Sequence, residues 1–192
     1  MIPTILLAAG SSRRFGAPKL LQELDGKPLI RWTAEALDAV VPDEMLVVVP
    51  PFAGHLRAAL SGLRVRFVEN RHADEGMGTS IAAGVAALDD RAEAALLTLA
   101  DVPFGPALVL PAVVQRYRKE GAAIVAPRFR GGVPGHPVLF ARSVFPELAL
   151  LDGERGAREV IEHDAARRIV LDIDADPPAD VDTPEDLARL GR

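Results

Sequence analysis

Apolar residues fall into short unbroken runs, separated by segments in which they recur at helical spacing. The runs occupy residues 2–8, 45–49, 65–68, 94–100, 122–126, 137–140 and 168–173. A run of this length without polar alternation predicts a strand buried on both faces. Residues 29–40 instead carry Leu29, Ile30, Ala34, Leu37 and then Val41 near helical period, and Pro28 suits a helix start. Further helices are predicted at 55–60, 77–88, 106–119, 157–163 and 184–190. The last is begun by Thr183, with Asp186 three residues on as an approximate capping box. Strand and helix alternate from end to end, which predicts an α/β fold: three layers, α/β/α, around a mostly parallel Rossmann-like sheet. No repeat, low-complexity segment or linker divides residues 1–192, so a single domain is expected. The Pro- and Gly-rich segment 127–137 reads as a loop over a site.

Composition narrows the class. With 49% apolar and 26% charged residues the chain reads as globular. It has no cysteine, which excludes disulfides and thiolate metal sites and favours a cytoplasmic location. No basic segment precedes the first apolar run, so a signal peptide is not expected. No run reaches the roughly 18 apolar residues of a membrane helix. The net charge of −5 argues against a nucleic-acid binder. Positive charge is local instead: residues 5–19 carry Arg13, Arg14 and Lys19 and no acid.

That stretch holds the first candidate chemistry. An apolar strand empties into small residues at Ala8, Ala9 and Gly10 and then into cations, a pattern suited to a phosphate. Small side chains let backbone N–H groups approach phosphate oxygens, and the cations neutralise them. Five residues separate Gly10 from Gly16, and Ala17-Pro18 precede Lys19, so this is not a Walker A loop. Nor is it the G-x-G-x-x-G dinucleotide loop, because Ser11-Ser12 follow Gly10. Asp101 ends the fourth apolar run, at the carboxyl end of a parallel strand where α/β sheets bind ligands. A carboxylate there can hold a hard cation together with phosphate oxygens, or cap a turn before Pro103. Asp180 and Asp182 offer a second carboxylate; at alternate positions they face opposite ways if extended, and Asp182 is preferred because it abuts the helix start. Gly76-Met77-Gly78-Thr79-Ser80 precedes a helix and could hold a base, ribose or phosphate, or simply cap it. His136 sits in a glycine-rich loop and Arg158 follows Gly156-Ala157; each is a candidate anion contact with a structural alternative. His55, His72 and His163 show no metal-binding spacing.

In this order these segments resemble the molybdenum cofactor cytidylyltransferase branch of the MobA-like nucleotidyltransferase superfamily. The opening signature L-A-A-G-x-S-x-R-M-G-x-x-K is met by Leu7-Ala8-Ala9-Gly10, Ser12, Arg14, Gly16 and Lys19, with Phe15 in place of Met. G-M-G-S/T-S is met at Gly76 to Ser80, and L-A-D-x-P at Leu99 to Pro103 with Val102 where Gln is common. G-H-P is met at Gly135 to Pro137 and D-I/V-D-T-P-E-D-L from Asp180 to Leu187. G-D-x-G-A-R appears from Gly153 to Arg158, with Glu154 for Asp. The resemblance implies a sheet of the nucleotide-diphospho-sugar transferase type and transfer of CMP from CTP to the phosphate of molybdopterin cofactor. Leu7, Ala8, Ala9, Gly10, Ser11 and Ser12 would cradle the nucleotide, with Gly78, Thr79 and Ser80 near base and ribose. Arg14 and Lys19 would stabilise charge on pyrophosphate. Asp101 and Asp182 would hold Mg²⁺ or Mn²⁺, while His136 and Arg158 would face the acceptor. Ala9, usually Gly in the guanylyl branch, implies CTP. The implied partners are CTP and the cofactor, with docking to a molybdoenzyme or its chaperone, and neither nucleic acid nor membrane. Rival expectations are a cytidylyl- or uridylyltransferase acting on a sugar or polyol phosphate, an NAD(P)-dependent oxidoreductase, and a non-catalytic cofactor-binding protein.

Overall fold

A computed structural model of the protein describes residues 1–10, 18–41, 43–181 and 183–190. Its centre is one mixed sheet. The strands are β1 (Thr4–Leu7), β4 (Met45–Val49), β5 (Val65–Glu69), β6 (Ala94–Leu99), β7 (Ile124–Phe129), β9 (Val138–Ala141) and β10 (Arg168–Asp172). They lie in the order β10-β7-β9-β6-β1-β4-β5. The strands β1, β4 and β6 are buried almost throughout, which is why their sequences read as unbroken apolar runs. The pairs β1–β4, β1–β6, β4–β5 and β7–β10 are parallel. β9 runs antiparallel to both of its neighbours. Two short strands, β2 (Glu23–Leu24) and β3 (Lys27–Pro28), form a separate hairpin.

Helices cover both faces. On one, α1 (Leu29–Asp38) and α4 (Gly105–Glu120) pack on β1, β4 and β6. The helix α1 buries Leu29, Ile30, Ala34 and Leu37 and leaves Arg31 and Glu35 paired at 2.7 Å on its outer side. Truncating a buried leucine of this stripe costs about 2–5 kcal/mol. α4 ends at Gly121, whose φ of 64° lets its N–H reach the Tyr117 carbonyl at 2.8 Å. On the other face lie α3 (Met77–Ala86), α5 (Phe145–Ala149) and α6 (Arg158–His163). The short helix α2 (Gly54–Ala59) follows β4, and α7 (Pro184–Leu190) closes the described chain. The predicted capping box is present: Thr183 N–H and Oγ donate to Asp186 Oδ2 at 2.9 and 2.8 Å, and Asp186 N–H donates to Thr183 Oγ at 3.2 Å.

Three expectations shift. The segment 127–137 is not simply a loop: β7 runs on to Phe129 and β8 (Val133–Pro134) folds back against it. The strand expected at 137–140 is present but reversed, a direction that hydrophobic periodicity does not encode. The helix α5 lies where no helix was expected. Among the described residues, no helix is long and apolar enough to cross a membrane.

Candidate active site

Two adjoining cavities open at the carboxyl end of β1 and β6. The smaller, of about 240 Å³, is lined by the chain leaving β1 (Leu7, Ala9, Gly10), by Lys19, Leu99 and Asp101, and by Ala73, Asp74, Met77, Ser80 and Glu154. The larger, of about 470 Å³, shares Leu7, Met77 and Leu99 with it and extends between α3, α6, β7, β9 and β10. His136 and Arg158 line this second cavity.

Asp101 is placed by the end of β6, where the chain turns sharply before Pro103. Its Oδ2 accepts from Lys19 Nζ at 2.7 Å, across 82 residues of sequence. Its Oδ1 is buried and has no hydrogen-bond partner among the described residues. A buried, unsatisfied carboxylate oxygen at a phosphate-sized cavity is a hard donor with no partner of its own, the chemistry a divalent cation seeks. The donor set therefore fits the expected metal, which Asp101 Oδ1 would meet. No group of three or more His, Asp or Glu side chains is gathered for a metal among the described residues. Asp182 lies outside the described residues. Its neighbour Val181 is fully buried and donates its N–H to the Asp101 carbonyl at 3.2 Å. Val181 is thereby held beside Asp101, while Asp180 is exposed.

The other predicted residues divide. Leu7, Ala9, Gly10, Lys19, Ser80 and Asp101 line the smaller cavity. Ala8 instead points into the core cluster with Leu6 and Val47. Ser11, Ser12 and Arg14 lie outside the described residues. Gly78 and Thr79 do not line either cavity. The Gly78 N–H donates to the Gly153 carbonyl at 2.9 Å, and a methyl there would stand 2.5 Å from the Asp152 carbonyl oxygen. The glycines of the G-M-G segment thus serve a close approach of α3 to the loop at 152–154, which carries Glu154 into the cavity. The Thr79 hydroxyl donates to the His72 and Gly76 carbonyls at 2.7 and 2.9 Å.

Sequence reasoning missed Asn70. It is buried at the end of β5 and donates to Thr79 Oγ and Ser80 Oγ at 2.9 and 3.0 Å. It also accepts from His72 N–H at 3.0 Å. Asn70 therefore fixes the turn that carries Asp74 to the start of α3, and a polar residue closing an apolar run was its signal. Asp74 and Glu154 were likewise not foreseen as cavity-lining carboxylates.

In the larger cavity the floor is apolar, with Ile81, Leu97, Leu99, Val138, Ile161 and Val170. The His136 Nδ1 is buried without a partner among the described residues. Burial pushes the His136 imidazolium below its ordinary pKa, and the Leu97 carbonyl and Asp101 charge act the other way less strongly. His136 is therefore neutral at neutral pH, and its ring can donate or accept one hydrogen bond. Arg158 is exposed and paired with Glu162 at 2.8 Å.

Comparison with known proteins follows this geometry. The family model of the MobA-like NTP transferase domain matches residues 4–169. The structure of Rv0371c from Mycobacterium tuberculosis superposes with a TM-score of 0.83 at 30% identity, covering 100% of this chain and 98% of that one. The same mycobacterial protein is also known as a complex with manganese. The bifunctional protein GlmU of Sphingopyxis alaskensis is 30% identical over 85% of this chain and 35% of its own length. A probable molybdenum cofactor guanylyltransferase of Haloferax mediterranei is 35% identical over 53% of this chain and 48% of its own. The chain spans about a third to a half of the length of these curated relatives. With the sheet, the strand-end carboxylate and a family match over most of its length, the chain belongs to the MobA-like NTP transferase domain family.

Proposed function

We propose that the protein transfers CMP from CTP to the phosphate of molybdopterin cofactor, releasing pyrophosphate and forming the cytosine dinucleotide. An oxygen of the acceptor phosphate attacks the α-phosphorus of CTP. The new P–O–P linkage forms as the bond from the α-phosphorus to the β-phosphate oxygen breaks, and pyrophosphate leaves with the electron pair. The protein contributes position and charge rather than covalent chemistry. The backbone at Ala9 and Gly10 approaches the triphosphate, and Lys19 meets charge developing on pyrophosphate. Arg14 is proposed for the same task. Asp101, with Asp182 as second carboxylate, would hold Mg²⁺ or Mn²⁺, which when bound neutralises phosphate charge. His136 and Arg158 face the acceptor.

One observation carries the choice of acceptor: the apolar floor of the larger cavity. A sugar phosphate offers a ring of hydroxyls, each needing a hydrogen-bond partner on burial. Leu97, Val138 and Val170 offer none, but they suit the flat face of a fused heterocycle. The relative named a probable molybdenum cofactor guanylyltransferase supports the same acceptor. CTP over GTP is supported by Ala9. The match to GlmU favours the second reading, transfer to a sugar or polyol phosphate.

The test is pyrophosphate release from CTP, GTP, ATP and UTP with Mg²⁺, with and without molybdenum cofactor. Release is expected only with CTP and cofactor together. Release that needs GTP would replace the base, and release with a sugar phosphate in preference to the cofactor would replace the acceptor.

A further inference from the structure

Three arginines line the larger cavity, and their surroundings differ. Arg128 Nε lies 2.7 Å from Asp172 Oδ1, and Arg158 Nε lies 2.8 Å from Glu162 Oε1. Arg168 has no carboxylate partner among the described residues. Its one hydrogen bond there is a long one, from Nη1 to the Ile161 carbonyl at 3.3 Å. A guanidinium carries five N–H donors, so most of its fork is uncommitted. Arg168 is also half-buried, unlike the exposed Arg128 and Arg158. Holding a partly desolvated cation beside an apolar floor is costly unless acceptor atoms meet it.

Its place in the sheet sets how far away such atoms must be. Arg168 pairs with Ile124, Ile124 with Phe140, and Phe140 with Ala95. Arg168 therefore stands at the level of Ala95, whereas Asp101 lies beyond the carboxyl end of the same strand β6. Three strand spacings, about 14 Å across the sheet, and six residues along the chain from Ala95, about 20 Å, separate the backbone positions of Arg168 and Asp101. Leu97, Val138 and Val170 lie between.

We infer that Arg168 determines specificity for the distal end of the acceptor. The acceptor class is a phosphomonoester joined through a flat, apolar-faced ring system to a far edge bearing oxygen or ring-nitrogen hydrogen-bond acceptors. The fork of Arg168 matches two adjacent acceptor atoms better than one, which favours a carbonyl beside a ring nitrogen, or a carboxylate. This inference rests on the acceptor occupying the larger cavity, as proposed above. A purely structural Arg168 would only hold the last turn of α6 through Ile161.

Steady-state transfer to molybdenum cofactor and to ribose 5-phosphate, which lacks a distal heterocycle, is compared for the wild type, Arg168→Met and Arg168→Lys at saturating CTP. Arg168→Met is expected to raise KM for the cofactor about tenfold or more, with kcat, KM for CTP and melting temperature near wild type. Arg168→Lys should fall between, and the preference for the cofactor over ribose 5-phosphate should collapse in Arg168→Met. An unchanged cofactor KM would overturn the inference. So would an equal loss on both acceptors accompanied by a lower melting temperature, the mark of a structural role. If the wild type prefers ribose 5-phosphate, which has no distal edge for Arg168 to meet, the cofactor reading and the inference fall together, whereas a preference for the cofactor with an unchanged cofactor KM in Arg168→Met removes the inference alone. Transfer to neither acceptor would overturn both.

Discussion

The smaller cavity gathers Lys19, Asp74, Asp101 and Glu154 around the exposed backbone at Gly10, whereas the larger sets three arginines and a neutral histidine around an aliphatic floor. Charge in the first is dense and close together, as the 2.7 Å contact of Lys19 with Asp101 shows. Charge in the second stands at the rim and the far end. In the proposed transfer charge shifts onto the departing pyrophosphate, so the first cavity would supply fixed charges near the reacting phosphorus. The ring of the proposed acceptor would keep its charge during the reaction, so the second cavity would need shape and a few directed polar groups. The difference, on the proposed reaction, makes substitutions in the first cavity expected to act on turnover and those in the second on acceptor affinity.

The largest effect is expected at Asp101. Asp101→Asn keeps the shape but removes the charge that faces Lys19 and the buried Oδ1 position. Turnover should fall by about a hundredfold or more, with melting temperature little changed. Lys19→Ala should act in the same direction. Rapid-quench measurement of a single turnover, beside a thermal melt, checks both. Near-normal turnover in both variants would erase the distinction between the cavities.

Next comes the contact of α3 with the loop at 152–154. Gly78→Ala drives a methyl into the backbone at Asp152 and must separate α3 from the loop that carries Glu154. A loss of about 1–3 kcal/mol in urea unfolding is expected. Wild-type stability would mean that the loop at 152–154 yields freely and does not fix Glu154 in the smaller cavity.

The smallest effect sharpens the electrostatic side. Burial lowers the His136 pKa below its ordinary 6.5. Between the two values the unfolded chain binds more protons than the folded one, so stability falls as pH drops below about 6.5 and levels off below the folded pKa. Above 6.5 this contribution is fully present. His136→Gln removes it, so the difference between wild-type and variant urea stabilities should be flat above 6.5 and slope below. A difference that is flat throughout would place His136 in a wetter site than the larger cavity provides.

The sequence made much of this legible because strand burial leaves unbroken apolar runs, such as 45–49 and 94–100, and helix caps leave residue types at fixed offsets, such as Thr183 and Asp186. It marked Asp101 and Lys19 individually by position and charge. It did not mark Asn70, whose role depends on α3 returning to β5, or Glu154, which reaches the smaller cavity on a loop 53 residues beyond Asp101. It suggested that Gly78 faces a ligand, because a glycine needed for backbone packing and one needed for phosphate approach are the same letter.

The alternation of runs and periodic segments determined a layered α/β protein with its chemistry at the strand ends, since burial on two faces and helical amphipathicity are local properties of sequence. Only the tertiary structure decided the reversal of β9, the 2.7 Å meeting of Lys19 with Asp101, the docking of Val181 on the Asp101 carbonyl and the placing of the Arg168 guanidinium without a carboxylate partner among the described residues. Each of these depends on which distant segments lie side by side, and such pairings arise from packing the whole sheet rather than from any one stretch of chain.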